Sequence, residues 1–168
     1  MADPGSVRVA ITLRVPPDIK ADIKKWSRQL AADPAKQGAL AVEDGEVEIG
    51  LLSLRVHRTA LEEIRRAIAE TGFEEFWAQT KDLKVCFGRG LDLEARSLQG
   101  GFFRGLKNHI LSTLKEQEIE VVDEGLFDPS IPLLHLADTR AERQAVNVRQ
   151  YRWRVVPSEH IQIRENPS

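Results

Sequence analysis

Proton transfer near neutral pH calls for imidazoles, and this chain has four: His57, His109, His135 and His160. Two of them open similar strings, His57-Arg58-Thr59 and His135-Leu136-Ala137, which stand 78 positions apart. Two imidazoles facing each other across a cleft would supply a general acid and a general base. His109 lies on a helix face beside Ile110, where it caps or meets solvent, and His160 opens a strand and interacts with neighbours there. No spacing among the histidines, the single cysteine and the acids matches a metal site, so neither a metal nor a cofactor is expected. That cysteine, Cys86, sits mid-strand in Leu83-Lys84-Val85-Cys86-Phe87 with no histidine beside it, and reads as a structural thiol. Gly88-x-Gly90 is too short to cradle a phosphate. Gly100-Gly101 ahead of a helix is either an anion-binding turn or the exit of a hairpin. In Arg149-Gln150-Tyr151-Arg152-Trp153-Arg154, strand alternation puts Arg149, Tyr151 and Trp153 on one face and Arg152 and Arg154 on the other. The first face would stack on and neutralise a single-stranded nucleic acid, or else it is the buried aromatic side of an ordinary strand.

The elements that must position these groups are bounded by composition. The chain has 168 residues, 42% hydrophobic and 30% charged, with a formal net charge of -2. That suits one domain, or two small lobes sharing a core, and shows no overall basicity of the kind that binds duplex nucleic acid. One cysteine cannot make an internal disulfide, which fits a reducing compartment. Residues 1–6 lack both a basic start and an apolar run, and no stretch has the length of a membrane span. The expectation is a cytoplasmic or nuclear protein with no membrane partner. Residues 1–6 and 165–168 are expected as flexible ends, and residues 7–164 as the domain.

Residues 7–15 alternate apolar and polar at their ends and read as a strand, stopped by Pro16-Pro17. Asp18 or the second proline opens a helix whose Ile19, Ile23, Trp26 and Leu30 share a face. Glu43-Asp44-Gly45 carries a hairpin signal and leads into a strand over residues 47–56. Thr59-Ala60-Leu61-Glu62 has the capping-box pattern, ahead of a helix striped by Leu61, Ile64 and Ile68. Phe73, Phe76 and Trp77 suggest a short amphipathic helix or loop. Strands follow at residues 83–87 and 91–98, then a helix with Phe103, Leu106, Ile110 and Leu114 on one face. Short strands are expected at 119–122 and 131–136, a helix or loop over 139–147, and a closing hairpin of 151–156 with 160–164 around Pro157-Ser158. The order of elements is duplicated, which points to an α+β protein of two similar lobes around a cleft.

Two apolar strands carry a resemblance. Glu48-Ile49-Gly50-Leu51-Leu52-Ser53-Leu54 and Ser130-Ile131-Pro132-Leu133-Leu134-His135-Leu136 each end a strand-helix-strand unit, 82 positions apart. With Val9-Ala10-Ile11-Thr12-Leu13-Arg14-Val15-Pro16-Pro17-Asp18-Ile19, Phe127-Asp128-Pro129 and the closing residues 153–163, this layout resembles the 2H phosphoesterase superfamily. That superfamily has the RNA-ligase-like or cyclic phosphodiesterase fold, and the A-kinase anchoring protein central-domain branch is the most similar. The resemblance spans nearly the whole chain. It implies a two-lobed fold of duplicated strand-helix-strand units around a central cleft. In that family both strands carry His-x-Thr, and the four residues form the active site. Here Glu48 and Ser130 stand for the histidines, and Gly50 and Pro132 for the threonines.

Those replacements remove the family's chemistry. Ser130 cannot exchange a proton near neutral pH unaided, and neither Gly50 nor Pro132 offers a hydroxyl to a phosphate. Glu48 is a conceivable base, but it repels a phosphodiester anion. Pro132 donates no ladder hydrogen bond, so it belongs at an edge or a bulge. His57 and His135 lie nine and five residues beyond Glu48 and Ser130. At these odd offsets they face away from the cleft if the strands are regular, and a bulge at Pro132 is the device that would turn the second one back. The expected function is therefore a catalytically degenerate 2H phosphoesterase-like domain, with Glu48, Gly50, Ser130 and Pro132 lining the cleft. It would bind a nucleotide, single-stranded RNA or a protein partner without turning it over. Two alternatives stand beside it. One is an active phosphodiesterase on 2',5'-linked or cyclic nucleotides, working through His57, His135 or Glu48. The other is a purely structural interaction module.

Overall fold

The computed structural model describes residues 5–33, 38–86, 89–125, 127–136 and 148–166. Two antiparallel sheets carry the architecture. The first has the order β6-β3-β1-β9, built from β1 (Ser6–Arg14), β3 (Glu48–His57), β6 (Val121–Asp123) and β9 (Ile161–Asn166). The second has the order β2-β7-β5-β4-β8, from β2 (Leu40–Ala41), β4 (Phe76–Cys86), β5 (Gly90–Ser97), β7 (Ser130–His135) and β8 (Tyr151–Val155). Three longer helices, α1 (Pro17–Ala31), α2 (Leu61–Ala69) and α3 (Phe102–Glu116), pack with the sheets around a main apolar core, and Leu91, Leu134 and Leu136 form a smaller cluster beside it. A single turn of helix, α4 (Pro157–His160), precedes β9. No helix among the described residues is long and apolar enough to cross a membrane.

Side-chain periodicity explains the core. On β1, Val9, Ile11 and Leu13 are fully buried while Arg8 and Arg14 are exposed. α1 turns Ile23 and Trp26 inward, and α3 buries Phe103, Leu106, Ile110 and Leu114 at helical spacing. Each such side chain contributes about 1.5–3 kcal/mol of burial. The helices cover one face of each sheet, and the opposite faces are left to form the cleft.

The two sheets are built to one plan. β3 lies between β1 and β6, as β7 lies between β5 and β2. Helix α1 follows β1, and α3 follows β5. Each half lends its short strand to the other half's sheet: β2 pairs with β7, and β6 with β3. Both central strands also carry a bulge. Ile11 faces Leu52 and Thr12 faces Gly50, so Leu51 is the extra residue of β3. Leu91 faces Leu134 and Asp92 faces Pro132, so Leu133 is the extra residue of β7. Pro132 thus adjoins a bulge, and β2 reaches only Leu134 and His135, which leaves its other side unpaired.

Several local expectations are corrected. β8 and β9 are not a hairpin, because α4 carries the chain from one sheet to the other. Glu43-Asp44-Gly45 forms a 3-10 turn over Asp44–Glu46, capped reciprocally by Glu43 and Glu46, since β2 pairs with β7 and not with β3. Phe76 and Trp77 open β4, drawn into the ladder by Val155 and Arg154 of β8. The Thr59 capping box does not form. The His57 side chain accepts from Thr59 N and caps a 3-10 turn over Arg58–Ala60 that leads into α2. Ser6 is already in β1, and Glu165 and Asn166 pair with β1 and are no frayed tail. The helix or loop expected over 139–147 lies outside the described residues.

Two strand glycines make opposite predictions. Gly90 has φ +147°, and an added Cβ would collide with the Leu134 carbonyl oxygen. At Gly50 an added Cβ meets nothing within 4 Å. Urea denaturation of Gly90→Ala is expected to show a loss of about 2 kcal/mol or more. Gly50→Ala is expected to gain about 0.5–1 kcal/mol from strand propensity.

Candidate functional site

β3 and β7 are the strands through which the two sheets approach each other, and beside them lies a cavity of about 630 Å³. Glu48, Gly50, Ser130 and Pro132 all line it. The alternation of each strand delivers the first two of its pair to that face before the bulge intervenes.

In the first half of this site the Glu48 carboxylate is engaged by two donors. Glu48, with its side chain 13% exposed, takes Arg164 Nη2 on its Oε2 at 3.0 Å. The Gln162 amide donates to the same oxygen. Burial pushes the Glu48 carboxyl above its usual range, and Arg164 beside it only partly offsets that. Thr12, across the ladder from Gly50, is buried and lines the cavity. Its Oγ1 favours the ionised Glu48 without reaching the geometry of a hydrogen bond.

The second half centres on Asp92, which is 3% exposed and stands across the ladder from Pro132. Its Oδ2 accepts from Ser130 Oγ at 3.0 Å and from Arg89 Nη2 at 3.0 Å. Ser130 therefore spends its proton on a buried carboxylate. Other charged residues of the wall are paired: Lys107 with Asp123 at 3.1 Å, and Asp128 with Lys84. Five acids line the cavity, Glu46, Glu48, Asp92, Asp123 and Asp128, against three cations, Arg89, Lys107 and Arg164. No histidine among the described residues lines it.

The bulges overturn the expected facing of the histidines. Past Leu51, the residues of β3 that share the cleft face are Ser53, Arg55 and His57, whose partners Ala10, Arg8 and Ser6 keep the parity of Thr12. Past Leu133, His135 pairs with Gly90 and so shares a face with Asp92 and Pro132. The two imidazoles are nevertheless not brought together. His57 ends β3, about 30 Å of strand from Glu48, with its Nδ1 2.7 Å from Thr59 Oγ1, and it lines a different cavity. His135 Nε2 lies 2.6 Å from Glu46 Oε2, at the rim of the cleft. The other two are structural: His109 packs 5.6 Å from the Phe73 ring, and His160 Nδ1 accepts from Val156 N.

The nucleic-acid face expected on β8 is also corrected. Trp153 is 4% exposed within the core. Arg149 reaches Asp22 at 3.3 Å and Gln29 at 3.0 Å on α1, and Tyr151 Oη donates to Asp22 at 2.5 Å. Burial and then that bond hold the phenol well above its usual pKa. Alternation is observed, but α1 claims the face that would have stacked on bases. Cys86 is partly buried, 3.2 Å from Arg89 Nη2. Among the described residues, no three His, Cys, Asp or Glu side chains gather as a metal would need.

The fold has solved counterparts. It is similar to LigT of Escherichia coli, a 2H phosphoesterase whose crystal structure is complexed with 3'-AMP. The identity is 16%, the match covers 95% of this chain and 88% of that one, and the TM-score is 0.65. It is similar too to TT0787 of Thermus thermophilus, at 13% identity, 94% coverage of each chain and a TM-score of 0.61. No family model matches the sequence, and no curated protein does.

Glu48 sets a testable pH dependence. Its pKa is raised on folding above the ordinary 4.5, so in that window the folded state holds the extra proton and stability falls as pH rises. Glu48→Gln should melt close to the parent below pH 4.5 and increasingly above it as pH climbs through the raised value. Thermal melts of both proteins across the acid range check this. An advantage of the parent that grows with pH would mean that the Arg164 pair outweighs burial.

Proposed function

We propose that this chain, which has a 2H phosphoesterase-like fold, is a catalytically degenerate form of it. Its cleft serves as a non-catalytic binding site for a nucleotide or an RNA end. The observation that carries this is the state of the two positions where the resembled family has histidines. Glu48 is held by Arg164 and Gln162, and Ser130 donates to buried Asp92. Neither is poised to pass a proton to a leaving oxygen at neutral pH. The cleft persists at about 630 Å³, which is within the range of small-molecule sites. A nucleotide is the favoured ligand class because LigT, of similar fold, is seen with 3'-AMP.

The test is turnover and binding on the same purified protein. With 2',3'-cyclic nucleotides and with 2',5'- and 3',5'-linked oligoadenylates, product should not rise above the buffer rate, while AMP shows saturable binding. Turnover abolished by His135→Ala or Glu48→Gln would overturn the non-catalytic reading. Absence of both turnover and nucleotide binding would move the assignment to a protein-interaction module.

A further inference from the structure

A second cavity, of about 400 Å³, adjoins the first and shares Glu48 and Arg164 with it. Its walls are the end of β1, one side of the first two turns of α1, and β9. We propose that this cavity is an anion subsite that takes a phosphate dianion, free or at the end of a nucleotide. The proposal deepens the nucleotide-binding reading and moves the phosphate away from the Glu48 and Ser130 positions.

Charge counting favours it. Arg14, Lys20, Lys24 and Arg164 line this cavity against only two carboxylates, Asp44 and Glu48. Lys20 Nζ and Lys24 Nζ, one helical turn apart, share the single Asp44 at 3.0 and 2.9 Å. Arg14 Nε donates to the neutral Gln162 amide at 3.1 Å, so its charge has no carboxylate in that contact. Arg164 is the partner of Glu48. The surplus is two positive charges, which matches a phosphate monoester near neutral pH. Asp18, the acid in the first turn of α1, is not part of the wall.

The first cavity has the opposite balance, five acids to three cations, and each of those cations already faces a carboxylate. A phosphate there meets net repulsion, while one in the second cavity meets net attraction. Because the two spaces meet at Glu48 and Arg164, one ligand can span them. The phosphate then lies among Arg14, Lys20 and Lys24, and the neutral sugar and base lie in the larger, more acidic space.

Calorimetric titration of the full chain with inorganic phosphate, AMP and adenosine tests this, at low salt where such attraction is least screened. Lys20→Gln/Lys24→Gln keeps a polar side chain at each position and removes both charges. It should weaken phosphate and AMP by about tenfold or more and leave adenosine unchanged. Asp44→Asn frees the same lysines and should tighten phosphate, a gain that misfolding cannot produce. AMP binding tighter than phosphate identifies a nucleotide as the source, and equal affinities identify free phosphate. Phosphate affinity that ignores the double variant, or that falls only in Arg89→Gln, overturns the subsite while leaving a nucleotide cleft in place. Phosphate binding lost in the double variant with no binding of adenosine or AMP keeps the subsite and defeats the nucleotide reading. No binding of any of the three defeats both.

Discussion

Leu51 on β3 and Leu133 on β7 are each one residue too many for the strand beside them, and the face presented to the cleft depends on that surplus. A strand shows alternate side chains to its two faces, so one unpaired residue exchanges the faces for everything beyond it. Before the bulge, Glu48 and Gly50, or Ser130 and Pro132, look into the cavity. Beyond it, Ser53 and His135 turn to the same side, and pairs of leucines fill the core where the phase changes. The two bulges fall three residues after Glu48 and three after Ser130. The duplication therefore extends below the order of elements to the irregularity that aims the site.

Charge follows from this placement. Two nearly buried carboxylates, Glu48 and Asp92, stand on opposite sides of the cavity, and each is held by an arginine and a neutral donor. A buried acid without such partners would neutralise or unfold its surroundings. The arginines come from different places: Arg164 from β9, and Arg89 from the turn before β5. Where the resembled family places groups that exchange protons, this chain has an ion-paired Glu48 and a Ser130 hydroxyl bonded to Asp92. The excess of basic side chains lies one wall further, on the side of α1.

Regular features were legible in the sequence. The alternation of β1, the buried stripes of α1 and α3, and the two apolar strands at 48 and 130 were readable because burial imposes its period on nearby residues. The four cleft positions came as a set from the resemblance to the 2H superfamily's paired His-x-Thr strands, not from periodicity. What long-range pairing decides was not legible. Phe76 and Trp77 look like a loop until β8 supplies their ladder partners. Arg149 and Tyr151 look like a nucleic-acid surface until Asp22 of α1 claims them. The bulges did leave a trace: Leu51-Leu52 and Leu133-Leu134 break strict alternation at matching places, in a shared Ile-x-Leu-Leu-x-Leu string. The basic cavity left none, because Arg14, Lys20, Lys24 and Arg164 belong to three separate elements.

The exchange of short strands has a consequence for the chain as a physical object. β6, from the second half, completes the sheet of the first, and β2, from the first half, completes the sheet of the second. Neither half possesses all the strands of its own sheet, and the late segments β8 and β9 are divided between the two sheets. The similar lobes are thus interlocked. Loss of order in one strips an edge from the other, so the strand exchange couples the stability of the two lobes, and severed halves would each lack a strand of their own sheet.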